Sequence, residues 1–131
     1  MGSYVNRVVF LPVLPHLEYL AMLQMSDVVL DTLHFGGGVT AYECIRSGVP
    51  FVTLPLDYLR SRVALGLYKF INVMDCVAKN KMDYVSLAVQ IGSDESKQNQ
   101  IRKKIVENLS PLLDTEAGIS NFIQWFHSQK T

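Results

Sequence analysis

Cysteine is scarce in this sequence: Cys44 and Cys76 are the only two in 131 residues, with no C-x-x-C pair and no other metal-ligand spacing. That excludes a disulfide scaffold and a cysteine metal site, and it predicts two buried, reduced thiols of the kind a cytoplasmic protein carries. Charge of one sign is not in surplus either. Twelve basic residues balance twelve acidic ones and lie scattered along the chain, which argues against an extended nucleic-acid or membrane-binding surface. No apolar run reaches the roughly 18 residues of a membrane span, and Met1, Gly2 and Ser3 open no signal peptide. Internal repeats and low-complexity stretches are missing. The length predicts a single α/β domain over residues 1–131, with room for a core but smaller than a complete Rossmann half.

What the sequence does have is a glycine cluster in a telling place. Residues 27–55 read D-V-V-L-D-T-L-H-F-G-G-G-V-T-A-Y-E-C-I-R-S-G-V-P-F-V-T-L-P. The short apolar run at Val28 suits a strand buried on both faces. Gly36, Gly37 and Gly38 follow, then a helix-length segment stopped by Gly48 and Pro50, then the strand-like Phe51, Val52, Thr53 and Leu54. The unit is strand, glycine loop, helix, strand. In open α/β sheets the loop at the carboxyl end of a strand binds ligands, because the unpaired amides at the helix start carry a partial positive charge; an anion is the natural guest. Thr40 stands where its hydroxyl caps an amide or bonds a phosphate oxygen, and Glu43 is placed for a capping box or for a ribose diol. Residue types alone leave both readings open, a phosphate loop with a ribose-binding acid or a tight turn with a capped helix.

Strands are predicted near residues 7–11, 28–31, 51–54 and 75–78, giving about four parallel strands flanked by helices. Pro15 starts a helix whose residues Leu17, Leu20, Ala21 and Gln24 or Met25 fall at helical spacing for packing on the sheet. Asp57 is a candidate cap for a helix containing Val63, Leu67 and Phe70. Tyr84, Val85, Ala88 and Ile91 mark another helix stopped by Gly92; Ile101, Ile105 and Leu109 mark the next, broken at Ser110 and Pro111. A last helix carries Ile119, Phe122, Ile123 and Phe126 as one stripe with Trp125 beside it. Such a stripe is either core or a surface awaiting a partner.

The order D-V-V-L-D-T, H-F-G-G-G-V-T-A-Y-E, S-G-V-P-F-V-T-L-P and L-R-S-R-V-A resembles the carboxyl-terminal catalytic half of the O-linked N-acetylglucosamine transferases, and looks closest to the bacterial SPINDLY-like branch. The resemblance runs from about Arg7 to the last helix. It implies a fragment of a GT-B enzyme: two Rossmann-like halves with the active site between them, the carboxyl-terminal half binding the UDP-sugar donor, here UDP-N-acetylglucosamine, with no metal or other cofactor required. By position it implies that Leu14, His16 and Tyr19 contact the uracil and diphosphate, with Met22 standing where the animal enzymes carry a cation. It implies further that His34 lies where the donor loop passes the sugar, that Gly37, Gly38, Val39 and Thr40 cradle phosphate, and that Glu43 holds the ribose. Arg60 and Arg62 are candidates to meet phosphate or acceptor, while Cys44, Cys76 and His127 receive no role.

No catalytic acid, base or nucleophile is assigned, because the resembled enzymes keep theirs upstream of the matched region. The implied partners are the missing amino-terminal half, a tetratricopeptide-repeat region, and a second copy of the chain. A Rossmann half has about six strands; the two unaccounted for belong between 7–11 and 28–31. Either 7–11 pairs directly beside 28–31, or a homodimer fills the gap. Two other functions remain open: a non-catalytic interaction module on the same scaffold, and a dinucleotide-binding oxidoreductase. Consecutive glycines in place of G-x-G-x-x-G, and no acid ending the following strand at Leu54 and Pro55, weigh against the last.

Overall fold

The computed structural model describes residues 4–129; the reading of Met1, Gly2 and Ser3 falls outside the described residues. At the centre is the expected unit: strand β1 (Val29–Leu30), helix α2 (Val39–Arg46) and strand β2 (Phe51–Val52), preceded by helix α1 (His16–Met25). β1 and β2 pair in parallel with Val29 opposite Phe51 and Leu30 opposite Val52. Asp31 N–H donates to Val52 O at 2.9 Å and Val29 N–H to Pro50 O at 2.9 Å. Parallel strands need a crossover, and α2 supplies it. Its Ala41, Cys44 and Ile45 are fully buried, and it packs on α1, on α3 (Val63–Phe70) and on α5 (Glu95–Glu107). Ile45, Tyr68, Ile71, Ile101 and Ile105 close the core around it.

Turn chemistry fixes how α2 ends. Gly48 has φ +72°, its N–H donates to Ile45 O at 3.0 Å, and Val49 N–H donates to Cys44 O at 2.9 Å. This left-handed exit satisfies carbonyls that the last helical turn leaves over. A Cβ at position 48 would also lie 2.9 Å from Val106 Cγ2 on α5. Gly48→Ala is expected to cost about 2 kcal/mol, from the left-handed penalty and that contact. The check is urea unfolding, read as a lower midpoint with an unchanged slope.

The remaining helices are α4 (Lys81–Ser93), α6 (Ser110–Leu113) and α7 (Thr115–Ser128). Asn80 caps α4 by accepting from Asp83 N–H at 2.9 Å, and Asp94 caps α5 by accepting from Lys97 N–H at 3.0 Å. Gly92 is therefore inside α4, and the break falls at Asp94. Asp57 caps nothing: a 3-10 turn, Leu59–Ser61, intervenes before α3. Pro111, expected to break a helix, sits in the first turn of α6.

The four-strand expectation is corrected among the described residues. Residues 8–11 form no strand and lie on the surface, Phe10 at 92% exposure, because no strand pairs with them. Direct pairing of 7–11 with β1 therefore does not occur. Residues 75–78 contribute a single parallel bridge, Thr53 with Val77. The reason is Tyr68, whose hydroxyl accepts from Phe51 N–H at 3.0 Å and donates to Phe51 O at 3.1 Å. A side chain thus occupies the ladder position that a longer strand would need. The result is a mainly helical α/β fold around a two-stranded parallel sheet.

One predicted face also turns differently. In α1 the buried residue is Leu23, with Tyr19, Leu20 and Met22 packed beside it, whereas Leu17, Ala21, Gln24 and Met25 are exposed. The helix rests on α2, so the neighbouring helix chose its face. The α7 stripe has the expected helical spacing and, of its two readings, takes the exposed one, with Trp125 at 58% exposure and its ring centroid 6.0 Å from that of Phe122.

Candidate functional site

The glycine loop is held from both sides. On one side Gly36 N–H donates to Arg60 O at 2.8 Å and Arg60 Nε donates to His34 O at 3.0 Å. On the other, Gly37 N–H donates to Asp31 Oδ1 at 2.8 Å. α2 then begins with Gly38 as its cap residue and with no side chain accepting from its first amides. Among the described residues, the N–H groups of Gly38, Val39 and Thr40 meet no acceptor of the chain, and all three residues are exposed. These are the orphan donors of a helix start, carrying the positive end of its dipole.

This corrects two expectations. The Gly37 amide is bonded to Asp31 and is not a free donor in this conformation, so the run of amides without an acceptor starts at Gly38. Thr40 is the second helical residue and not the cap, and Glu43 closes no capping box with it. Neither side chain caps the helix; Glu43 faces His16 and Thr40 faces Tyr19 instead.

Glu43 looks across to α1. Its Oε1 lies 3.6 Å from His16 Nδ1, with the Glu43 side chain 19% exposed. The two line a cleft of about 290 Å³ with Leu20, Gln24, Arg46 and Ser47. Tyr19 lies beside this pair. Burial raises its phenol above the ordinary value; the charges of Cys44 and Glu43 add to this, and a hydrogen bond with the Thr40 side chain opposes it. At neutral pH Tyr19 is thus a neutral hydrogen-bonding group next to Thr40 and Glu43.

His16, Tyr19, Thr40 and Glu43 are therefore brought together, with the free amides of Gly38, Val39 and Thr40 one turn before Glu43. Leu14 is half-buried and does not line the cleft. His34 is exposed on the loop, with its carbonyl on Arg60. Arg60 braces that loop and stacks on Tyr58, its guanidinium carbon 4.4 Å from the ring centre. Arg62 Nη1 donates to Leu56 O at 2.9 Å. Neither arginine lines the cleft.

Sequence reasoning placed Gln24 only as an alternative on the packing face of α1 and gave Arg46 and Ser47 no part, although helical spacing points to all three as cleft residues: His16, Leu20 and Gln24 recur every four residues, and Arg46 and Ser47 follow Glu43 by three and four. It also missed Asp31. An acid directly after the strand run V-V-L was the available signal; that strand is not buried on both faces as its composition suggests, since Val29 is half-buried and Leu30 exposed.

The model of glycosyl transferase family 41 matches residues 1–122. A UDP-N-acetylglucosamine–peptide N-acetylglucosaminyltransferase of Caenorhabditis elegans is 37% identical over 100 residues, 76% of this chain and 9% of that protein. A probable transferase of the same name, SPINDLY, from Petunia hybrida is 31% identical over 131 residues, 98% of this chain and 14% of the relative. Among solved structures, the K341M mutant of Thermobaculum terrenum O-GlcNAc transferase superposes with a TM-score of 0.83 over 93% of this chain and 24% of that one, at 24% identity, a likeness of fold. The chain spans about a tenth of the length of the curated relatives it matches.

Proposed function

This chain belongs to glycosyl transferase family 41, and on that footing we propose that it is the donor-binding segment of an inverting protein O-glycosyltransferase using UDP-N-acetylglucosamine. The observation that carries the reading is the pairing of free Gly38, Val39 and Thr40 amides with Glu43 one turn later on the same helix. The amides and the Thr40 hydroxyl receive the diphosphate; Glu43 accepts from the ribose diol once His16 swings aside or bonds the phosphate. The names of the relatives, which specify UDP-N-acetylglucosamine and a peptide acceptor, support the same donor.

In this reading the chain is one α/β part of the carboxyl-terminal, Rossmann-like half of a GT-B enzyme, and the other half supplies the acceptor site and the catalytic base. An acceptor hydroxyl attacks the anomeric carbon, and the bond to the diphosphate breaks with inversion. Charge develops on the leaving UDP, where preorganised amides stabilise it most. No residue of this chain is assigned proton transfer, and the segment alone is inactive. The buried, unpaired thiols suit a cytoplasmic setting.

Calorimetry with UDP, UDP-N-acetylglucosamine and NAD tests this. The expected outcome is binding of both uridine nucleotides and none of NAD. Glu43→Ala is expected to weaken UDP on the order of tenfold, the equivalent of about 1.4 kcal/mol. Binding of NAD alone would return the oxidoreductase reading, and no nucleotide binding would leave the interaction module.

A further inference from the structure

Among the described residues Asp31 is the one charged side chain that is buried, at 6% exposure, and the donor reading gives it no part. It directly follows β1 and is fixed at every polar atom. Its N–H donates to Val52 O at 2.9 Å, and its carbonyl accepts from the Tyr84 hydroxyl at 2.7 Å. Its carboxylate accepts from Gly37 N–H at 2.8 Å through Oδ1 and from the Thr53 hydroxyl at 2.7 Å through Oδ2. Burying a carboxylate is costly, and stability alone is served as well by an apolar residue at such a place. The loop is shaped to receive this one. A Cβ on Gly36 would lie 3.1 Å from Asp31 Oδ2 and 3.1 Å from Arg60 O, so the carboxylate reaches Gly37 because position 36 has no side chain.

We propose that Asp31 is the positioning residue of the anion site: by drawing the Gly37 N–H inward, it turns the next three amides, those of Gly38, Val39 and Thr40, outward toward the diphosphate. Its own charge repels an anion, so its contribution is alignment. What the ligand meets is a set of neutral N–H dipoles that need no reorganisation on binding. The ligand's identity rests on the donor reading; the loop geometry does not.

The test uses the whole chain with Asp31→Ala and Asp31→Asn, amide hydrogen exchange over residues 32–41, and calorimetry with UDP and with uridine. Asp31→Ala is expected to speed exchange in the loop and to weaken UDP on the order of tenfold, while uridine changes less than about twofold. Asp31→Asn keeps an acceptor for Gly37 and removes the charge, and it is expected to recover most of the UDP affinity. Equal losses for UDP and uridine would overturn the proposal in favour of a general structural role, as would loop exchange that does not change. Should Asp31→Ala not fold, Gly36→Ala displaces the carboxylate without removing it and is expected to give the same split between UDP and uridine. A wild-type chain that binds neither ligand, with loop exchange still rising on substitution, would overturn the donor reading and leave Asp31 as the loop's anchor.

Discussion

Tyr68→Phe is expected to destabilise the fold by about 3 kcal/mol, a large change for the loss of one oxygen atom. Tyr68 is fully buried, and its hydroxyl both accepts from Phe51 N–H and donates to Phe51 O. Phenylalanine fills nearly the same space, so no cavity forms. Two backbone groups of β2 are instead left in an apolar core without partners, at about 1–3 kcal/mol each. Urea unfolding reads this as a lower midpoint at constant slope. Tyr84→Phe is the internal comparison: its hydroxyl donates to Asp31 O from a half-buried position, where water can replace it, and the expected cost is about 1 kcal/mol or less. Equal shifts for the two variants would show that the edge of β2 is not held by Tyr68.

Stability is expected to fall steeply in alkali. Burial, above all, raises the Cys44 thiol to about 12, with the charges of Glu43 and Asp31 adding to it. Burial likewise raises Cys76 to about 11, partly opposed by a hydrogen bond from Tyr68, whose own phenol burial pushes well above its ordinary value. The ordinary thiol value is 9.0, so with rising pH the unfolded chain loses these protons first. Their contribution is whole below about pH 9 and is lost as pH rises through the folded values, by about 1.4 kcal/mol per pH unit for each thiol. Urea midpoints measured from pH 8 to 11 check this, and Cys44→Ala is expected to flatten the decline by one proton's slope. A midpoint constant from pH 8 to 10.5 would show that the thiols titrate alike in both states. Both residues are free cysteines in the fold, as their spacing predicts.

Much of the central unit was legible because its signals are local. The β-branched run at Val28, the three glycines, and Gly48 before Pro50 each act through backbone conformation within a few residues, and β1, α2 and β2 form where they indicate. Caps at Asn80 and Asp94 are equally local. The misreadings share a cause in distance along the chain. Residues 8–11 have strand-like composition, but a strand exists only with a neighbour. Tyr68 takes the ladder position beside Phe51 from seventeen residues away. α1 carries helical periodicity, yet which face is covered depends on what lies against it.

The site divides in the same way. By itself, the sequence determined that a glycine loop leads into a helix bearing Thr40 and Glu43, since turn and helix propensities act between near neighbours. Only the tertiary structure decided which amides are left without an acceptor. That choice depends on Asp31 and Arg60 reaching the loop from other elements, and on α1 bringing His16 and Tyr19 to Glu43. Hydrogen bonds of that kind join residues that the chain separates, so their geometry is fixed by packing and cannot be read from spacing.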